Sequence, residues 1–198
     1  MSNIAVKGAT TGTGTFTLES PATNTDRTLV LPDEAGTVLT SVSGLTAGNL
    51  TGSVPASAMP AGSVIQVVNH RNSTANSTTS SSFVATNSTA TITPTSATSK
   101  ILIITNAPLY VNANNGHIYT SIFRGTTNLK EGNQELQLFA TGTADTGRWT
   151  NGSMSFVDSP STTSAVTYTV YFRVAVAGTA YYDSNGGRAI ITLMEIAG

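Results

Sequence analysis

The sequence predicts an all-β protein: a short β-rich N-terminal segment, a linker, and a ten-stranded antiparallel sandwich of jelly-roll type. Two observations carry this. From Ser63 to Gly198, short runs rich in Val, Ile, Thr and aromatic residues recur with Gly, Asn, Ser or Pro between most of them, the spacing of a sandwich or jelly roll. In the clearest run, VTYTVYFRVAV, Val166, Tyr168, Val170, Phe172, Val174 and Val176 share one face, while Thr167, Thr169, Tyr171 and Arg173 share the other. That is the period-two pattern of a half-buried strand, and no stretch carries helical periodicity.

The first element is a β-rich module over residues 1–40. Phe16 and Leu18 alternate with Thr13, Thr15 and Thr17, Leu29 and Leu31 repeat the pattern, and Val38 follows the turn Pro32-Asp33-Glu34-Ala35-Gly36. Three such short strands bury too little to be stable alone, so partners from other chains are expected. Residues 41–62 carry Gly at 44, 48, 52 and 62 and Pro at 55 and 60, which reads as a linker. Residues 63–198 form the larger domain. Its candidate strands are Val64 to Asn69, Ser82 to Thr86, Ala90 to Thr93, Lys100 to Ala107, His117 to Arg124, Glu135 to Ala140, Gly152 to Val157, Val166 to Ala177, Ala180 to Asp183 and Arg188 to Ile196.

Two strands depart from alternation. Ile101 to Ile104 are continuously apolar, and Ile190 to Met194 are apolar except at Thr192. A sandwich covers one face of each strand, so the second apolar face needs a loop or another subunit, and a homotrimer would supply it. The absence of cysteine removes disulfide staples and points the same way.

Composition narrows function further. Charged residues are 10% of the 198, net charge is -1, and the nine Lys and Arg are scattered from Lys7 to Arg188. Phosphate neutralisation needs clustered cations, so no nucleic-acid partner is expected. The residues after Met1 lack an apolar stretch of signal-peptide length, and no run reaches the roughly 18 apolar residues of a membrane span. Synthesis in a cytoplasm and no membrane insertion are expected.

Catalytic chemistry is not advertised. The two histidines, His70 in a Ser/Thr/Asn-rich loop and His117 at a strand start, have no second His or Cys at ligand spacing, so no metal site is expected. The carboxylates of the C-terminal half lie on different elements, whereas glycoside hydrolysis needs two that converge. No Gly-x-Ser-x-Gly elbow occurs, and GATTGTGT lacks the Gly-Lys-Ser/Thr ending of a phosphate loop. Asp183-Ser-Asn-Gly-Gly reads as a hairpin turn rather than a calcium loop. No catalytic residue and no cofactor is expected. What remains suits contact: Asn112, Asn114 and Asn115 in one loop, Arg148 beside Trp149, and Tyr181 beside Tyr182. Aromatic, amide and guanidinium groups together fit saccharide or protein surfaces.

The segment GTGTFTLESPATNTDRTLVLPDEAGTVLT resembles a module recurrent near the N-termini of fibre proteins of tailed bacteriophages. The likeness rests on Gly14-Thr15-Phe16-Thr17-Leu18, Asp26-Arg27-Thr28-Leu29 and Leu31-Pro32-Asp33 followed by Gly36-Thr37-Val38-Leu39. The remainder, with TPTSATSKILI and ITLMEI, is similar to trimeric fibre heads and, in strand count, to tumour-necrosis-factor and complement-C1q jelly rolls. The resemblance implies a non-enzymatic virion protein that docks to other virion proteins, of tail or capsid, through Phe16, Leu18, Arg27, Leu29 and Leu31. Its trimeric head would face a host-surface glycan or protein. A capsid decoration fibre and a polysaccharide-cleaving tail enzyme are the alternatives, and the N-terminal module argues against a cellular lectin.

Overall fold

The computed structural model describes residues 10–15, 17, 24–26, 28, 54–72, 74–129, 136–140, 148–176, 178–183 and 189–198. The chain comprises two compact units, Met1–Thr51 and Gly52–Gly198. In the first, the described residues are exposed and irregular. Phe16, Leu18, Arg27, Leu29, Leu31 and Val38, on which the expected strands and docking role rest, lie outside the described residues.

The second unit is all-β, with no α-helix among the described residues. Its strands are β1 (Val64–Arg71), β2 (Asn76–Thr78), β3 (Val84–Ile92), β4 (Lys100–Asn112), β5 (His117–Arg124), β6 (Thr127–Asn128), β7 (Gln137–Ala140), β8 (Arg148–Asp158), β9 (Val166–Val174), β10 (Thr179–Tyr182) and β11 (Ile190–Ile196). All pairs are antiparallel, in two sheets. The larger is built on β4, which pairs with β8 along one edge and with β11 and then β10 along the other; β1 lies beyond β11 and β2 beyond β10. The smaller sheet runs β3, β9, β5 and then β6, with β7 also on β5. The apolar faces of the two sheets meet in one core, making a β-sandwich.

Several expected strands differ from those observed. The segments around Ser82 to Thr86 and Ala90 to Thr93 are one strand, β3. Its polar middle stays in the sheet because the Thr86 hydroxyl donates to the Val170 carbonyl at 2.8 Å, across an irregularity in the β9 register. Strand β4 runs on past Asn106-Ala107-Pro108. Pro108 lies where pairing along that edge passes from β11, which ends opposite Asn106, to β10, which begins opposite Leu109. A missing N–H is tolerated there. The short β2 and β6 were not anticipated, and the count among described residues is eleven. His70 lies within β1 rather than in a loop. The last linker residue, Gly62, is already tied into the domain, its N–H donating to the Ala197 carbonyl at 2.8 Å, while Ala197 N–H donates to the Ser63 carbonyl at 2.8 Å.

Strand β9 obeys its pattern over its own length, with Val166, Tyr168, Val170, Phe172 and Val174 buried while the intervening residues are not; Val176, expected on the same buried face, lies past the end of pairing at Val174 and is exposed. The Phe172 ring meets Tyr182 of the opposite sheet at 6.0 Å. Beside it, the buried Tyr182 hydroxyl faces Ser88 without a hydrogen bond of standard geometry. Burial pushes the Tyr182 phenol from 10.0 to about 12, with Ser88 pulling it back and the Asp183 charge adding to the rise. Tyr168 is raised as well, by burial first and then by its hydrogen bond to Asp158. A phenol harder to ionise when folded contributes stability that is full below its unfolded value and lost as pH rises through its folded one. Denaturation midpoints should therefore fall between pH 10 and 12, with about 2–3 kcal/mol from Tyr182. The phenolate absorbance of these two tyrosines should appear together with unfolding, not before it.

The sandwich has two distinct ends. Chain entry at Pro60 to Ser63, the C-terminus at Ala197, and the Lys100 end of β4 lie together at one, the base. The other end of β4, with β10 and the start of β8, is distal, about 30 Å away over ten residues of extended chain.

Candidate functional site

The distal end is built from β4, β8 and β10. Register places Tyr181, Tyr110 and Trp149 directly opposite one another on three adjacent strands, so all three project from the outer face of the larger sheet. Their rings are in contact: Tyr110 to Trp149 at 4.9 Å with 31° between planes, and Tyr110 to Tyr181 at 5.4 Å with 49°. Both pairs are tilted contacts, within the range at which aromatic rings attract one another. Trp149, on the outermost strand, remains 51% exposed.

On the same face, one register step beyond, stand Thr179 and Asn112; one step before stand Pro108 and Asn151; Ser77 continues the aromatic row on β2. Every one of these flanking groups is uncharged. Asn112 opens the turn from β4 to β5, in which Asn114 and Asn115 are exposed and Asn115 adopts φ 52°, a conformation asparagine accepts. This turn packs on the one from β9 to β10. A side chain at Gly178 (φ 87°) would meet the Ala113 Cβ at 2.5 Å and the Asn112 carbonyl at 2.7 Å, so glycine is required there.

The structure thus brings together five of the seven residues expected to make contact: Asn112, Asn114, Asn115, Trp149 and Tyr181. Tyr182 is corrected to the core, being 1% exposed, because consecutive residues of a strand face opposite ways and Tyr181 takes the outer side. Arg148 opens β8, and its side chain lies outside the described residues. Tyr110 was missed by sequence reasoning. It sits in the apolar stretch PLYV, and only the β4–β8 and β4–β10 registers reveal its place between two other rings.

A second cluster also escaped the sequence. On the outer face of the smaller sheet, Phe123 stacks on Tyr171 at 4.0 Å and contacts Phe83 at 5.5 Å, and the Arg173 guanidinium lies over the Tyr119 ring at 4.3 Å and the Phe83 ring at 5.4 Å. These side chains are half-buried and cover one another, an arrangement that seals the sheet.

The base holds the buried carboxylates. Asp158 accepts from Arg124 Nη1 at 3.0 and 2.9 Å through its two oxygens, and from the Tyr168 hydroxyl at 2.7 Å. Glu195, fully buried, accepts from Gln66 Nε2 at 2.6 Å, Thr95 N–H at 2.7 Å and Thr95 Oγ1 at 2.8 Å. Burial pushes its carboxyl up, but hydrogen bonds from Gln66, Ser99 and Thr95 outweigh that and hold it below its ordinary value. Both groups are engaged in joining elements: β8 to the smaller sheet, and β11 to β1 and the β3–β4 connection. A nearby cavity of about 370 Å³ is lined by Ala56, Met59, Ile65, Thr95, Ser99 and Gly198 among others. No group of three or more potential metal ligands occurs among the described residues, and His117 lies at 6.4 Å from the Tyr119 ring.

No known family model matches the chain, and no curated protein matches it.

Proposed function

We propose that the chain is a non-enzymatic structural protein of a tailed-phage virion, a homotrimeric fibre anchored through its N-terminal segment and presenting the sandwich as a jelly-roll head to a host surface. The observation that best supports this is the outer face of the larger sheet near the base. One register row there reads Val67, Met194, Leu102 and Val157, and Val67 and Val157 are 55% and 53% exposed. Val64 and Ile196 precede this row and Ile104 follows it. A contiguous apolar patch on a protein with so little surface charge marks an interaction surface. It is also the face that the doubly apolar strands led one to expect another subunit to cover.

The reading makes a direct demand on mass. The full chain should scatter light as three times 20.3 kDa at micromolar concentration. Ile104→Asp with Val157→Asp, both at exposed positions, should shift it to monomer while leaving its β-sheet circular dichroism unchanged. A wild-type monomer would remove the trimer from this proposal. Density of the assembled particle locates the chain on tail or capsid.

A further inference from the structure

We infer that the Trp149 end of the larger sheet is a binding site for neutral saccharides, an inference that rests on the adhesive reading above and names its ligand class. The site is a preorganised ring face. Trp149 leans on Tyr110 in a tilted ring contact, and Tyr110 contacts Tyr181 in turn, so the indole is braced by Tyr110 and little side-chain freedom is lost on binding. Strand β8 pairs with β4 alone among the described residues, and about half of the Trp149 surface is exposed. A single exposed aromatic face fits one pyranose ring, whose C–H bonds carry partial positive charge and seat on the negative π-face.

The surroundings match the remainder of such a ligand. Asn112 and Thr179 on one side and Asn151 on the other project from the same face, and Asn114 and Asn115 are exposed in the adjoining turn. Amides and a hydroxyl offer both donors and acceptors to sugar hydroxyls. A nucleotide would call for cations at its phosphates, and an acidic glycan for a basic partner; the described same-face neighbours of the rings, Asn112, Thr179, Pro108, Asn151 and Ser77, are neutral. The rings lie at the end of β4 remote from the Gly62–Ala197 contact. The apolar patch near the base occupies the other end of the same face, so self-association there leaves the rings accessible.

The test uses the full chain on an array of neutral hexose and N-acetylhexosamine oligosaccharides, with uronate- and sialate-containing oligosaccharides as a second arm. Light-scattering mass is measured on the same samples. Wild type should bind members of the neutral arm. Trp149→Ala should weaken that binding about tenfold or more, Trp149→Phe should restore part of it, and neither should change the mass. The inference is overturned if no neutral oligosaccharide binds at millimolar concentration, if only the acidic arm binds, or if Trp149→Ala binds as wild type does. A change of mass in Trp149→Ala would overturn it by making the stack a subunit contact. Failure of the virion reading appears separately, in particle density, and leaves the array result intact.

Discussion

Asp158→Ala is expected to lower the unfolding free energy by about 3 kcal/mol, because it strands two partners at once. Asp158 closes β8, the edge of the larger sheet, whereas Arg124 and Tyr168 belong to β5 and β9 of the smaller one. The carboxylate thus ties an edge strand to the opposite layer. Its removal leaves the Tyr168 hydroxyl, in a fully buried residue, without its acceptor and the Arg124 guanidinium without its counter-ion. Arg124 is 34% exposed on its side chain and recovers part of its loss from water, which is why the lower end of the range for broken buried pairs applies. Tyr168→Phe removes one hydrogen bond to a charge and should cost about 1.5–3 kcal/mol. Urea denaturation of both single variants and the double variant measures the coupling. Amide exchange in β8 should accelerate more than in β9, since the edge loses its tether while β9 keeps two strand neighbours.

Phe172→Ala should be at least as damaging, at about 3–5 kcal/mol. The ring is fully buried, sits mid-strand between β3 and β5, and touches Tyr182 across the sandwich. Its truncation opens a cavity at the junction of the two sheets beside a tyrosine already short of a good hydrogen bond. Against a stability of about 5–15 kcal/mol for a typical domain, such a loss should appear as a large fall in the thermal midpoint. By contrast, Thr169→Ala removes an exposed cross-strand hydroxyl pair with Thr89 at 2.9 Å and serves as the same-strand control, with an effect of about 1 kcal/mol or less.

The contrast between these positions tracks what could be read along the chain. Strand β5 occupies the expected residues, and β9 begins where its alternation begins, because burial of every second side chain needs no knowledge of the partner. The expected β9 ran on to Ala177, whereas pairing ends at Val174. Apolar residues continue past that point, but the chain must turn at Gly178 to reach β10. The double apolar character of Ile101 to Ile104 was equally legible: Ile101 and Ile103 are in the core, and Leu102 and Ile104 stand on the outer face. The candidate site was legible only in pieces. Trp149 and the asparagines were recognisable by type, but Tyr110 lies 39 positions before Trp149 and 71 before Tyr181 in the chain, and nothing local relates them.

By itself, then, the sequence determined the all-β class, the faces of its regular strands, and the scarcity of charge that directs attention to stacking and hydrogen bonding rather than ion pairing. Those follow from side-chain period and composition, which are local properties. The tertiary structure decided which rings meet, which of two adjacent tyrosines is core, and where the carboxylates of separate strands find their partners. Each depends on register between strands far apart in the chain, where a shift of one residue would turn Tyr110 inward and dismantle the row from which Trp149 projects.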